Sequence, residues 1–166
     1  MNLFDSIKVP EGVLDLRAYE VPSGRLIAHV TGENIVVNDG RQALARLLGH
    51  DTTQTWYVDT MKFGDGGHTA TVPPGMVAVD VTDTDLYGAI HISKDVTGAG
   101  TTFPATRKVT FTATVEAAEG NGTGVLEYSE AGLYYNAGTQ MFSHKSFGYI
   151  VKNDTIRLVA TWTFTF

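Results

Sequence analysis

The chain has 166 residues, no cysteine and a net charge of −6, with 43% hydrophobic and 18% charged residues. That length gives a single domain a sizeable core and the hydrophobic content excludes a disordered chain, while the missing cysteine excludes a disulfide scaffold, a cysteine nucleophile and a thiolate zinc site. The acidic balance argues against nucleic acid as partner, no apolar run approaches the ~20 residues that span a bilayer, and the opening Met-Asn-Leu-Phe-Asp-Ser lacks the basic and apolar blocks of a secretory signal.

Residues 1–12 show no period-2 pattern and end in Val-Pro-Glu-Gly. They read as an extended N-terminal arm preceding a single domain, residues 13–166. Leu3, Phe4, Ile7 and Val9 are its apolar contacts for a neighbouring subunit. From Val13 to Tyr19, Leu14, Leu16 and Ala18 alternate with polar residues, the period of a half-buried strand. Val21-Pro22-Ser23-Gly24 supplies a turn, Arg25 to Thr31 returns as hairpin partner, and Asn34 to Val37 is a short further strand.

One helix follows. Asp39 and Gln42 have the spacing of a capping box, and Ala43, Leu44, Leu47 and Leu48 share one face. Gly49 ends the helix. About ten residues are marginal alone and must dock, so this element is expected as a lid on a sheet, held by Leu44 and Leu47.

Everything afterwards reads as strand and loop. Trp56 to Phe63 is strand-like and ends in Gly64-Asp65-Gly66-Gly67, and Val77 to Val81 and Leu86 to Ser93 are weaker strand candidates. Lys108 to Glu116 alternates strictly, with threonines opposite Val109, Phe111, Ala113 and Val115. Glu119-Gly120-Asn121-Gly122 is a turn, followed by short strands at Leu133–Tyr135, Met141–Phe147 and Ile150–Val151. The last run places Ile156, Leu158, Ala160, Trp162, Phe164 and Phe166 on one face, with Trp162 in the core. All five prolines precede residue 105, leaving the later strands uninterrupted. The pattern predicts a mainly β protein, an antiparallel sandwich.

The search for chemistry yields no active site. His29, His50, His68, His91 and His144 lack metal-ligand spacing, and no nucleophile elbow surrounds Ser129 or Ser143. Gly120-Asn121-Gly122-Thr123-Gly124 leads into a strand and so reads as a hairpin turn, not a phosphate loop. Asp80, Asp83 and Asp85 could hold a cation, but the EF-hand pattern is missing, and solvated turn carboxylates are the simpler reading. Glu127 and Glu130 read as one surface acid and one acid satisfying backbone donors, not as a glycosidase pair. The expectation is a non-enzymatic protein without cofactor or metal.

Four segments carry a family resemblance. Val37 to Leu48 resembles the strand-to-helix opening of small structural proteins of tailed bacteriophages. Met61-Lys62-Phe63-Gly64-Asp65-Gly66-Gly67 with Thr82-Asp83-Thr84-Asp85-Leu86 resembles their glycine loop and Thr-Asp-Thr segment. Ser129-Glu130-Ala131-Gly132-Leu133-Tyr134 resembles a late Glu-Ala-Gly-Leu motif, and Phe147 to Lys152 through Thr161 to Phe166 resembles their closing strands. The Leu86–Thr106 stretch is longer than the usual connection. The resemblance implies an immunoglobulin-like sandwich that attaches to a neck or collar, a baseplate or a tail fibre. Its partners would be other copies of itself and neighbouring virion proteins, and its location the virion, assembled in the bacterial cytoplasm. The alternative is a module that binds a carbohydrate or host receptor, with Trp56, Tyr57, Tyr134 or Tyr135 stacking on a host surface glycan.

Overall fold

The strictest alternation in the sequence builds the first sheet of the computed structural model, which describes residues 10–71 and 74–166. β1 (Glu11–Glu20), β2 (Leu26–Glu33), β6 (Thr101–Thr102), β7 (Lys108–Val115) and β10 (Ile156–Thr165) form it in the order β2-β1-β10-β7-β6. β10 lies between β1 and β7, pairing Trp162 with Leu14 on one side and Phe111 on the other. Ile156, Leu158, Ala160, Trp162 and Phe164 all point into the core. Phe166, expected on the same face, is half-exposed at the end of the chain.

The second sheet has the order β3-β9-β8-β4-β5 and comprises β3 (Ile35–Val36), β4 (Val58–Gly64), β5 (Ile90–Asp95), β8 (Leu126–Tyr135) and β9 (Gln140–Lys152). All pairings are antiparallel, and the two sheets enclose one core that includes Met61, Phe63, Leu133, Tyr135 and Phe147. The molecule is a mainly β antiparallel sandwich with one short helix.

Several elements differ from their sequence reading. β1 begins at Glu11, so Glu11 and Gly12 pair with Thr165 and Phe164 instead of belonging to an arm. Leu3, Phe4, Ile7 and Val9 lie outside the described residues. Val77 to Val81 is not a strand; its neighbour Met76 makes a single bridge to His68. β8 and β9 are longer than the short strands expected, because both faces of this hairpin are covered and its sequence does not alternate.

The helix α1 (Asn38–Leu48) starts one residue before Asp39. Val37 is its N-cap, and no side chain caps it, so the Asp39–Gln42 capping box does not form. At the other end the Gly49 N–H donates to the Ala45 carbonyl at 3.0 Å, and His50 takes the left-handed conformation. The helix rests on β9, with Gly40 against Phe142, and Gly40 and Ala43 are its buried residues. A Cβ on Gly40 would overlap the backbone carbonyl of Phe142, so only glycine permits this approach. Leu44 is partly buried, whereas Leu47 is 46% exposed. Leu44 thus packs against the core while Leu47 does so little, and the closest approach of helix to sheet is the small-residue contact at Gly40.

Candidate functional site

Two features stand out, a buried polar cluster on the outer face of the second sheet and an apolar groove at the α1 end. The first begins with strand register. Glu130 on β8 faces Ser146 on β9, and His144 faces Gly132, so Glu130 and His144 share the face turned away from the core. Segments 65–71 and 74–89 return over that face, with the Val77 carbonyl accepting from Ser146 Oγ and the Val81 carbonyl from the Asn38 N–H.

Glu130 is fully buried there. Its Oε1 accepts from the Gly66 and Gly88 amides, both at 2.8 Å, and its Oε2 from the Tyr87 amide at 2.9 Å and His144 Nε2 at 3.1 Å. Three of these four donors are backbone groups from loops far away in sequence. They converge because a Cβ on Gly66 or Gly88 would overlap the opposite loop, and one on Gly67 the Ser129 carbonyl. The glycine loop is a cradle for a carboxylate of the protein itself. Burial pushes the Glu130 carboxyl up, but the His144 bond and three amides outweigh it and hold the group below the usual glutamate range.

His144 is also fully buried, and its Nδ1 lies 2.8 Å from Asp83 Oδ2. The ring thus bridges two carboxylates, Glu130 at one nitrogen and Asp83 at the other. The same Asp83 oxygen accepts from the Asp80 amide at 2.9 Å and the Tyr87 hydroxyl at 2.8 Å, and Tyr87 meets the His144 ring edge-on at 4.8 Å. Burial, then the adjacent Asp83, raises the Tyr87 hydroxyl above the ordinary tyrosine value. Tyr134 behaves likewise, through burial and then a 2.6 Å bond to Asp85.

The three aspartates read as a possible cation site are thus spread over separate tasks. Asp80 caps its turn through Thr82, Asp83 anchors His144, and Asp85 accepts from Tyr134 and the Leu86 amide. Among the described residues no three His, Asp or Glu side chains gather as a metal site. Three other histidines also face carboxylates: His29 with Asp15 at 3.0 Å, His91 with Asp65 at 2.9 Å and His68 with Glu127 at 3.4 Å. Glu127 is half-exposed while Glu130 has no access to solvent, so the two do not face a common cleft.

Sequence reading missed one further buried charge. Lys152 is fully buried at the end of β9, and its ammonium donates to the Ala117 carbonyl at 2.9 Å, Asn121 Oδ1 at 2.7 Å and the Asn153 carbonyl at 3.0 Å. Burial lowers its pKa. With Tyr128, whose hydroxyl donates to the Gly120 carbonyl at 2.6 Å, it pins the β7–β8 loop. Burial pushes the Tyr128 hydroxyl up to about 12.

The second feature is an apolar groove of about 590 Å³ between the sheets at the α1 end. Its floor holds Phe142 and Phe111, each edge-on to Phe164 at 5.5 and 6.3 Å between ring centres. Leu44 and Leu47 of α1 form one wall, and Tyr57, Phe103 and Phe166 stand on the rim. The rim is open to solvent: Phe103 is 77% exposed, Tyr57 57% and Phe166 52%. Trp56 stacks on Tyr135 at 5.9 Å, and these two, with Tyr134, are buried. Of the four rings considered for sugar stacking, only Tyr57 presents a face.

Trp162 is fully buried and inside the sandwich, and Leu44 and Leu47 both line the groove. The structure does not bring the leucines near Glu130, which belongs to the opposite face of the second sheet. No protein-family model, curated protein or solved structure matches the chain.

Proposed function

We propose that the protein is a non-enzymatic structural component of a tailed bacteriophage virion, docking in many copies on the neck or collar, the baseplate or a fibre. The observation that carries this reading is the apolar groove with its exposed aromatic rim at one end of a braced sandwich. Large apolar groups left in water beside a concave floor mark a protein–protein contact better than a reaction centre. Its buried ionisable groups support the same reading. Glu130, His144 and Lys152 spend their hydrogen bonds on strands and loops, as braces of the scaffold. The virion context comes from the resemblance of four sequence segments to small phage structural proteins, and the expected partners are further copies and adjacent virion proteins.

The carbohydrate- or receptor-binding alternative retains Tyr57 from the rings considered for it. Antibody against the chain separates the readings when applied to tailed particles from a lysate that contains it. Gold on the neck, baseplate or fibre is the expected result. Abundant free chain with unlabelled particles overturns the virion assignment, and binding on a glycan panel that is lost in Tyr57→Ala supports the alternative.

A further inference from the structure

We infer that Lys152 and Asn121 form a site of self-modification, in which the Lys152 amine attacks the Asn121 carboxamide and joins β9 to the β7–β8 loop through an isopeptide bond. The inference stands on this contact and is independent of the function proposed above.

Lys152 is an amine with no access to solvent, and among the described residues no carboxylate reaches it as an ion pair. A buried ammonium without a paired charge is costly, and such a group gives up its proton more readily. Burial lowers the Lys152 pKa even though Glu119, Asp154 and Glu116 each favour the charged form. Glu119, the strongest of the three, spends both oxygens on Lys94 at 2.8 and 3.0 Å.

The three partners of the Lys152 nitrogen differ in chemistry. Ala117 and Asn153 offer backbone carbonyls at 2.9 and 3.0 Å, and Asn121 offers a side-chain carboxamide whose Oδ1 is 2.7 Å away. A neutral amine has two N–H groups and one lone pair. The two N–H groups satisfy the backbone carbonyls, which can only accept, and the lone pair is left for the third direction, toward Asn121. The carboxamide is held as well, since Asn121 Nδ2 donates to the same Ala117 carbonyl at 2.7 Å. Attacking and leaving nitrogens are thus tethered to one oxygen. The terminal torsion of asparagine is soft, so a rotation about it turns Cγ to the lone pair. Amides are inert in dilute solution, but groups fixed in this way reach effective molarities of about 10⁵–10⁸ M.

The step balances within the chain. The Nζ lone pair forms the Nζ–Cγ bond, the Cγ–Nδ2 bond breaks, and one Nζ proton moves to Nδ2, which leaves as ammonia. No oxidant or second reactant takes part. The product exchanges a buried amine for a neutral amide and closes a covalent loop around the β8–β9 hairpin, between residues 31 apart. In a chain without cysteine, this bond would act as a disulfide does, by restricting the unfolded chain.

Intact-mass measurement of the purified full chain, held at mildly alkaline pH beside an Asn121→Ala variant, reads the reaction directly. The native chain should become lighter than its sequence mass by one ammonia, and the variant should keep its full mass. Digestion should yield a branched peptide joining Asn121 to Lys152 in the native chain and none in Lys152→Arg. A native chain that keeps its full mass after a week overturns the inference, and this measurement decides the matter even where a variant fails to fold. Ammonia loss confined to the Asn121–Gly122 peptide overturns it too, because attack by the Gly122 backbone nitrogen gives that product without Lys152.

Discussion

Glu130 shows how much one side chain can organise. A carboxylate with no access to solvent accepts three backbone amides and a histidine, tying β8 to β9 and to the loops at Gly66 and Gly88. Glu130→Gln keeps the shape but puts an NH2 group where acceptors are needed and leaves His144 with Asp83 alone of its two carboxylates. Breaking one side of such a buried pair costs about 3–5 kcal/mol, and urea unfolding at neutral pH should show a loss of that size. The lowered Glu130 pKa sets the pH dependence. Because the folded state binds the proton less readily than the unfolded chain, its contribution is full above the ordinary glutamate value of about 4.3 and is lost as pH falls through the folded value. Unfolding curves taken from neutral pH down into the acid range should therefore decline more shallowly for Glu130→Gln than for the native chain. Parallel declines would show that another group controls the acid limb. The sequence identifies Glu130 as an acid bonded to the backbone, but not its donors. They come from 64, 43 and 42 residues away, and no local pattern encodes such a meeting.

At the scale of elements, periodicity was informative where a strand has one covered face and silent where it has two. β7 and β10 alternate because one face of each lies in the core and the other is only partly covered, and threonine is the commonest residue on that outer face. β8 and β9 are covered by the core on one side and by the 65–71 and 74–89 segments on the other, and alternation disappears. The helix misleads for a related reason. Its leucines have the right spacing for burial, yet Leu47 is half-exposed and the closest approach to β9 is made by Gly40, whose small size gives no hydrophobic signal. This inverts the expected cost of mutation. Leu47→Ala, which would cost about 2–5 kcal/mol if the residue were in the core, should cost less than about 1 kcal/mol for a side chain that is 46% exposed. Gly40→Ala should destabilise by about 1–3 kcal/mol through overpacking against Phe142, although helix propensity alone favours alanine by about 1 kcal/mol. Thermal and urea unfolding of the two variants give the comparison, and a Leu47→Ala loss larger than that of Gly40→Ala would contradict this account of the helix.

The described residues combine a braced interior with an open apolar groove at the α1 end. Lys152 and Tyr128 secure the β7–β8 loop, and the Glu130–His144–Asp83 chain secures the cover over the second sheet. At the α1 end, by contrast, aromatic rings face water around an apolar floor. Fold class was legible from strand spacing, turn residues and the final alternating run, because these are local consequences of a sandwich. The groove was not, since its lining comes from six separate stretches of chain that only the folded arrangement assembles. Association through that end is the central claim, and light scattering coupled to size exclusion measures it most directly. Across a concentration series the full chain should show a molar mass that is a multiple of 17.9 kDa, falling to the single-chain value in Leu47→Asp and Phe103→Asp variants that unfold at the native temperature. A native chain that stays at 17.9 kDa throughout, or variants that associate as it does, would contradict the claim.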